Sequence, residues 1–188
     1  MRQFSSIIAA FLIAILTYPV QPSQASTLSI VGLKQTTILD TKQLRGLKTE
    51  AVEMDYNRAY PNTRMIYQSI RLCDLLKQFE ISPASTLEFV ANDHFSVLVP
   101  AQKVLNCKKE ASIAYLAIEP DTKWPILFNH TNTTAGPYAV IWTHPERSYI
   151  SDEYWAWSVV KIIEHQQIDE SIVISAPTQI PKKIRTKI

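Results

Sequence analysis

Leu87-Glu-Phe-Val-Ala-Asn-Asp-His-Phe-Ser-Val-Leu-Val-Pro100 carries two short runs of alternating apolar and polar residues around a polar break. Alternation with a period of two is the mark of a strand with one buried face, and Asn92-Asp93 is a turn pair. The stretch therefore predicts a hairpin: a strand over Leu87–Ala91, a return over Phe95–Val99, and a short helix that Pro100 starts and that runs to about Leu105. Outward from it the same pattern recurs. Thr27–Val31 and Thr36–Leu39 form a second hairpin about a turn at Gly32 to Gln35. Asp40 is placed to cap a short helix, Thr41–Gly46, which Gly46 closes. Thr49–Tyr56, Met65–Ser69 and Ala114–Glu119 read as strands. Tyr138–Thr143 and Tyr154–Glu164 are the most strand-like runs of all, and Ile172–Ile174 offers one more edge strand. One segment reads otherwise: Ile70 to Phe79 sets Leu72, Leu75, Leu76 and Phe79 at helical spacing, which predicts an amphipathic helix. Short strands at close intervals with two or three short helices define a β-rich α+β single domain.

The N-terminus reads as an export signal. Arg2 precedes an apolar run from Ile7 to Leu16, Pro19 and Pro22 break it, and Ser23-Gln-Ala25 offers the small residues of a cleavage site. The run is shorter than the ~20 residues a bilayer span needs, so residues 1–25 are expected to be a cleaved signal peptide, with Ser26 the first mature residue. Residues 26–170 would then be the domain and 171–188 a basic tail, Pro181-Lys-Lys-Ile-Arg-Thr-Lys-Ile188. No transmembrane segment is expected after cleavage, and the expected location is periplasmic.

Composition narrows the chemistry. The chain holds 19 Lys+Arg against 17 Asp+Glu, a balance that gives nucleic acid nothing to bind. Three glycines cannot build a phosphate-cradling loop, which removes P-loop and Rossmann chemistry. The two cysteines, Cys73 and Cys107, leave three readings open: a disulfide, which an exported chain favours, two separate buried thiols, or a reactive thiol. No Ser-His-Asp triad, carboxylate pair or HExxH stands in the sequence. His130 and His144 have no third ligand at metal-site spacing.

Five pieces, in order, resemble the sulfite-oxidase-like, oxidoreductase molybdopterin-binding domain family over about residues 27–165. They are Thr27-Leu-Ser-Ile-Val-Gly32, Ile70-Arg-Leu-Cys-Asp-Leu-Leu76, Val90-Ala-Asn-Asp-His-Phe-Ser-Val-Leu-Val-Pro100, Ala114-Tyr-Leu-Ala117, and the pair Gly136-Pro-Tyr-Ala-Val-Ile-Trp142 with Tyr154-Trp-Ala-Trp-Ser-Val-Val-Lys-Ile-Ile163. The resemblance implies that family's fold and a pocket for a pterin. It departs at one place. Family enzymes hold molybdenum through a cysteine thiolate in the region before the Leu-x-Asp-Leu-Leu helix, and here Glu50 to Ser69 contains no cysteine. A binding module without molybdenum is therefore expected, holding a pterin-like or molybdopterin-like small molecule and serving as partner of the periplasmic domain of a membrane receptor or signalling enzyme. The alternative is a periplasmic molybdopterin-dependent oxidoreductase; a third reading is an interaction domain with an emptied pocket.

A flat heterocycle wants aromatic faces and a few fixed polar partners. The candidates are Trp142, Trp155, Trp157 and Tyr138 on the two late strands, Asn129 and Asn132 in the polar loop before Gly136, and Arg58 and Arg147 for an anionic group. Trp155 and Trp157, two residues apart, should share one face of their strand.

Overall fold

The computed structural model describes residues 26–55, 57–128 and 130–166. The expected signal peptide, the edge strand at Ile172–Ile174, the basic tail and Asn129 lie outside the described residues. Within them, nine strands form two sheets. The first has the order β2-β1-β9-β5-β6, built from β1 (Thr27–Val31), β2 (Thr36–Asp40), β5 (Thr86–Ala91), β6 (Ser96–Pro100) and β9 (Val159–His165). All its pairings are antiparallel except β1 with β9, which is parallel. The second is antiparallel throughout, in the order β3-β4-β7-β8, from β3 (Glu50–Met54), β4 (Met65–Arg71), β7 (Ile113–Ile118) and β8 (Tyr138–Thr143). Three one-turn helices, α1 (Thr41–Arg45), α2 (Leu72–Leu75) and α3 (Ala101–Val104), complete a single small β-rich domain. Both sheets feed one apolar core, with Leu28, Ile30, Leu87, Phe89, Leu116 and Trp142 among its most buried members. No helix among the described residues is long and apolar enough to cross a membrane.

Local chemistry explains most boundaries. Asp40 caps α1 through a reciprocal capping box: its carboxylate accepts the Gln43 N–H at 2.7 Å, and the Gln43 side chain accepts the Asp40 N–H at 2.8 Å. The strands β7 and β8 are buried along almost their whole length, with core or covering segments on both faces.

Two expected elements differ. The amphipathic helix over Ile70 to Phe79 is not one helix. Ile70 and Arg71 belong to β4, where they pair with Leu116 and Tyr115, and after them come the single turn α2 and a 3-10 turn, Leu76–Phe79. The leucines still face the core, since spacings of three and four suit a 3-10 turn joined to an α turn as well as they suit an α-helix. The run Tyr154–Glu164 is likewise not one strand. A 3-10 turn, Asp152–Tyr154, precedes an isolated bridge between Ala156 and Val140, and Ser158 turns left-handed at φ 55° before β9 begins. That interruption swings the Trp155–Trp157 stretch out of the sheet.

The Asn92-Asp93 hairpin closes through His94, which sits at φ 69° while Ala91 exchanges backbone bonds with His94 and Phe95. Glycine takes that left-handed position without strain, and histidine does not. His94→Gly is therefore expected to raise stability by about 0.5–1 kcal/mol in a urea melt, part of the relief being offset by the freer unfolded chain.

Candidate functional site

The hairpin β5–β6 forms one wall of a cleft of about 980 Å³, and the segment Asp152–Ser158 forms the opposite wall. Trp155 and Trp157 both line it, but from a segment that is not the strand on which their spacing places them, and so do Arg58, Phe95 and the stretch Ser96 to Leu98. Trp155 is nearly buried. Trp157 is 36% exposed and Phe95 68% exposed, so two aromatic faces stand at the opening of one concave surface. Leu127, His130 and Thr133 close a further side.

A chain of hydrogen bonds underlies the cleft. The Tyr60 hydroxyl donates to the Pro125 carbonyl at 2.7 Å and accepts the Ala135 N–H at 2.9 Å. The Ala135 carbonyl accepts the Ser158 N–H at 2.8 Å, and the Ser158 carbonyl accepts the Asn92 N–H at 2.9 Å. Burial raises the Tyr60 phenol above its ordinary value, so it stays neutral and keeps its proton for the carbonyl. The left-handed turn at Ser158 is thus held from both sides, and it sets where Trp157 stands. Below the loop, the buried Glu119 carboxylate accepts from Lys123 at 2.9 Å, from the Trp124 N–H at 3.3 Å and from the Thr134 hydroxyl. A Cβ on Gly136 would come within 2.3 Å of that carboxylate, so any side chain there would have to push it away from these partners. Loop and hairpin are fixed by these contacts before any ligand arrives.

Charge in the cleft is mixed with an acidic excess. Arg58 pairs with Asp152 at 2.5 Å, while Asp93 and Glu153 have no basic partner among the described residues. Asp93 accepts only the Phe95 N–H, at 3.1 Å, as a turn residue does.

The other candidates lie elsewhere. Trp142 is fully buried, with its indole N–H donated to the Tyr154 carbonyl at 3.0 Å, and it supports the cleft wall from behind without touching the cleft. Tyr138 is equally buried, and its hydroxyl meets Thr41 Oγ1 at 2.7 Å and donates to the Ser26 carbonyl at 2.8 Å. Asn132 is exposed and outside the cleft, although its neighbours His130 and Thr133 line it. Arg147 donates to the Lys109 carbonyl at 3.1 Å and is not part of the cleft either. Phe95 and Leu98 line the cleft without being among the residues the sequence marks. A signal exists for Leu98, a large apolar residue between Val97 and Val99, which fill the buried face; Phe95 shares their parity, and the alternation gives no sign that it stands exposed.

Cys73 and Cys107 are joined in a disulfide with a Cα–Cα distance of 5.9 Å. With Asp74 they make the one group of close potential metal ligands among the described residues. The disulfide occupies both sulfurs. The chain's only two cysteines therefore offer no thiolate, neither lines the cleft, and the residues present do not fit a thiolate-bound molybdenum. No protein-family model matches the chain, and no curated protein matches it at a significant level.

Proposed function

We propose that this chain is an exported binding module that holds a flat, pterin-like heterocycle in the cleft between the β5–β6 hairpin and the Asp152–Ser158 segment. The observation that carries the reading is the pair Trp155 and Trp157 lining one preformed concave site with Arg58 and Phe95. Aromatic faces at the mouth of such a cleft, with fixed polar groups behind them, suit a planar ligand better than a flexible one. The ordered sequence pieces support a sulfite-oxidase-like fold for the two-sheet domain, and the disulfide supports an oxidising compartment such as the periplasm. Asp93 and Glu153, which have no basic partner among the described residues, favour a ligand without phosphate. A binding module acts by changing what a partner sees, so a periplasmic receptor domain that reads the loaded state is the partner this reading assigns. The oxidoreductase alternative lacks its metal-binding thiolate.

The test is a titration of 6-hydroxymethylpterin against tryptophan fluorescence of the purified domain. Stacking should quench the signal. Trp157→Ala should weaken binding by about 1–3 kcal/mol, the loss typical of a heterocycle stacked on an aromatic side chain, with little change in the unfolding temperature. Absence of binding by wild-type protein would remove the reading.

A further inference from the structure

One wall of the cleft is a strand edge with nothing paired to it among the described residues. In the β5–β6 hairpin the Ala91 N–H donates to the Phe95 carbonyl at 2.8 Å, and pairing then runs Val90 with Ser96, Phe89 with Val97, Glu88 with Leu98. Directly opposed residues in an antiparallel ladder alternate between hydrogen-bonded and non-hydrogen-bonded pairs. Phe95 therefore turns its C=O, and Val97 and Val99 both their N–H and C=O, toward β5, and Ser96 and Leu98 turn theirs away. β6 is the last strand of its sheet, and no backbone group among the described residues bonds to Ser96 or Leu98 on that side. Ser96 and Leu98 line the cleft. The next outward position is Pro100, which has no N–H to give.

We infer that this free edge reads the ligand: the Ser96 carbonyl accepts an N–H of the bound ring while the Leu98 N–H donates to an adjacent ring acceptor. The inference rests on the heterocycle reading above and names how the site selects within it. Extended backbone carries the carbonyl of one residue and the N–H of the second residue on along the same side, and the two are rigidly spaced. A ring with an amide-like edge, N–H beside C=O or ring nitrogen, matches that acceptor–donor pair. A ring that carries only acceptors, or an alkyl group on the edge nitrogen, does not. Phe95 and Trp157 supply the apolar faces around this polar line. The ladder to β5 holds the reading groups in place, so the ligand meets donors and acceptors that need no reorganisation.

Leu98→Pro tests this directly. It deletes the one N–H in question, and proline is tolerated on an edge strand where the lost N–H faces away from the ladder. Leu98→Ala is the control, since it keeps the N–H and trims a side chain that is already 58% exposed. With 6-hydroxymethylpterin as probe, Leu98→Pro should bind about tenfold more weakly than Leu98→Ala, the difference between the two measuring the N–H alone. The N3-methyl analogue should bind wild type about tenfold more weakly than the parent pterin. Amide hydrogen exchange on wild type should show Leu98 slowed when the pterin is bound. Wild-type binding with an unprotected Leu98 amide, or with Leu98→Pro at the affinity of Leu98→Ala, overturns the inference and leaves the cleft reading standing. Should Leu98→Pro fail to fold, the exchange measurement and the N3-methyl analogue decide. No binding of either pterin to wild type overturns both.

Discussion

Replacing Trp142 by alanine is expected to cost about 3–5 kcal/mol of stability, against less than about 1 kcal/mol for Trp157→Ala. The two indoles differ in surroundings. Trp142 has no accessible surface, lies on β8 between the core and the segment behind the cleft, and gives its N–H to the Tyr154 carbonyl. Truncation leaves a cavity of indole size and takes the donor from a part-buried carbonyl. Trp157 stands 36% exposed at the cleft, so truncation mostly enlarges a space already open. Trp142→Phe separates the two losses. It fills most of the volume and removes only the hydrogen bond, so it should cost about 1–2 kcal/mol. Urea melts of the three variants give the stabilities, and the pterin titration repeated on each gives a second axis. Trp157→Ala should lose affinity and keep stability; Trp142→Phe should lose stability and retain most of its affinity. Equal losses of stability at both tryptophans would mean that Trp157 is packed as core, and would remove it from the ligand wall.

The same contrast marks how much a single sequence makes legible. The hairpins are readable because their alternation is clean: Leu87, Phe89 and Ala91 on one side, and Val97 and Val99 facing them. Trp155 and Trp157 line the cleft together, but from a segment outside any strand, so the strand alternation that pairs them in the sequence is not what brings them there. Trp142 and Tyr138 cannot be separated from them in the same way. They sit on a strand buried along nearly its whole length, and a strand with no solvent face has no alternation to show which aromatic looks outward. The break at Ser158 is invisible for a different reason. Serine carries no preference for a left-handed backbone, and its conformation comes from the Ala135 and Asn92 backbone bonds on either side, which are tertiary. The α2 region misleads because leucines three and four apart describe an α-helix and an α turn joined to a 3-10 turn equally well. The outer edge of β6 lies furthest from sequence, since backbone groups leave no residue signature; only strand order shows that Leu98 has no neighbouring strand among the described residues.

Loss of the Cys73–Cys107 disulfide is expected to destabilise the domain by about 3–4 kcal/mol, lowering the unfolding temperature by roughly 10 °C, without changing ligand affinity in the folded state. The bond joins residues 34 apart in sequence, from α2 to the segment after α3, and the loop it closes contains the whole β5–β6 hairpin. Cross-linking a loop of that length removes chain entropy from the unfolded state, and the logarithmic dependence on loop length gives that magnitude. The folded state loses little when the link is cut. Cys73 is buried on α2, and neither cysteine reaches the cleft. The double variant Cys73→Ser/Cys107→Ser and the reduced wild type should therefore agree in stability to within about 1 kcal/mol, the serine hydroxyls accounting for the difference. Their urea slopes should be steeper than that of the oxidised protein, because an unlinked unfolded chain exposes more surface. A loss below about 1 kcal/mol would show that the linked unfolded chain is no more restricted than the free one. A loss of pterin affinity in fully folded double variant would show that the link shapes the hairpin itself. In that case the cleft's geometry depends on the redox state of its surroundings, and the compartment in which the protein works decides whether it can bind at all.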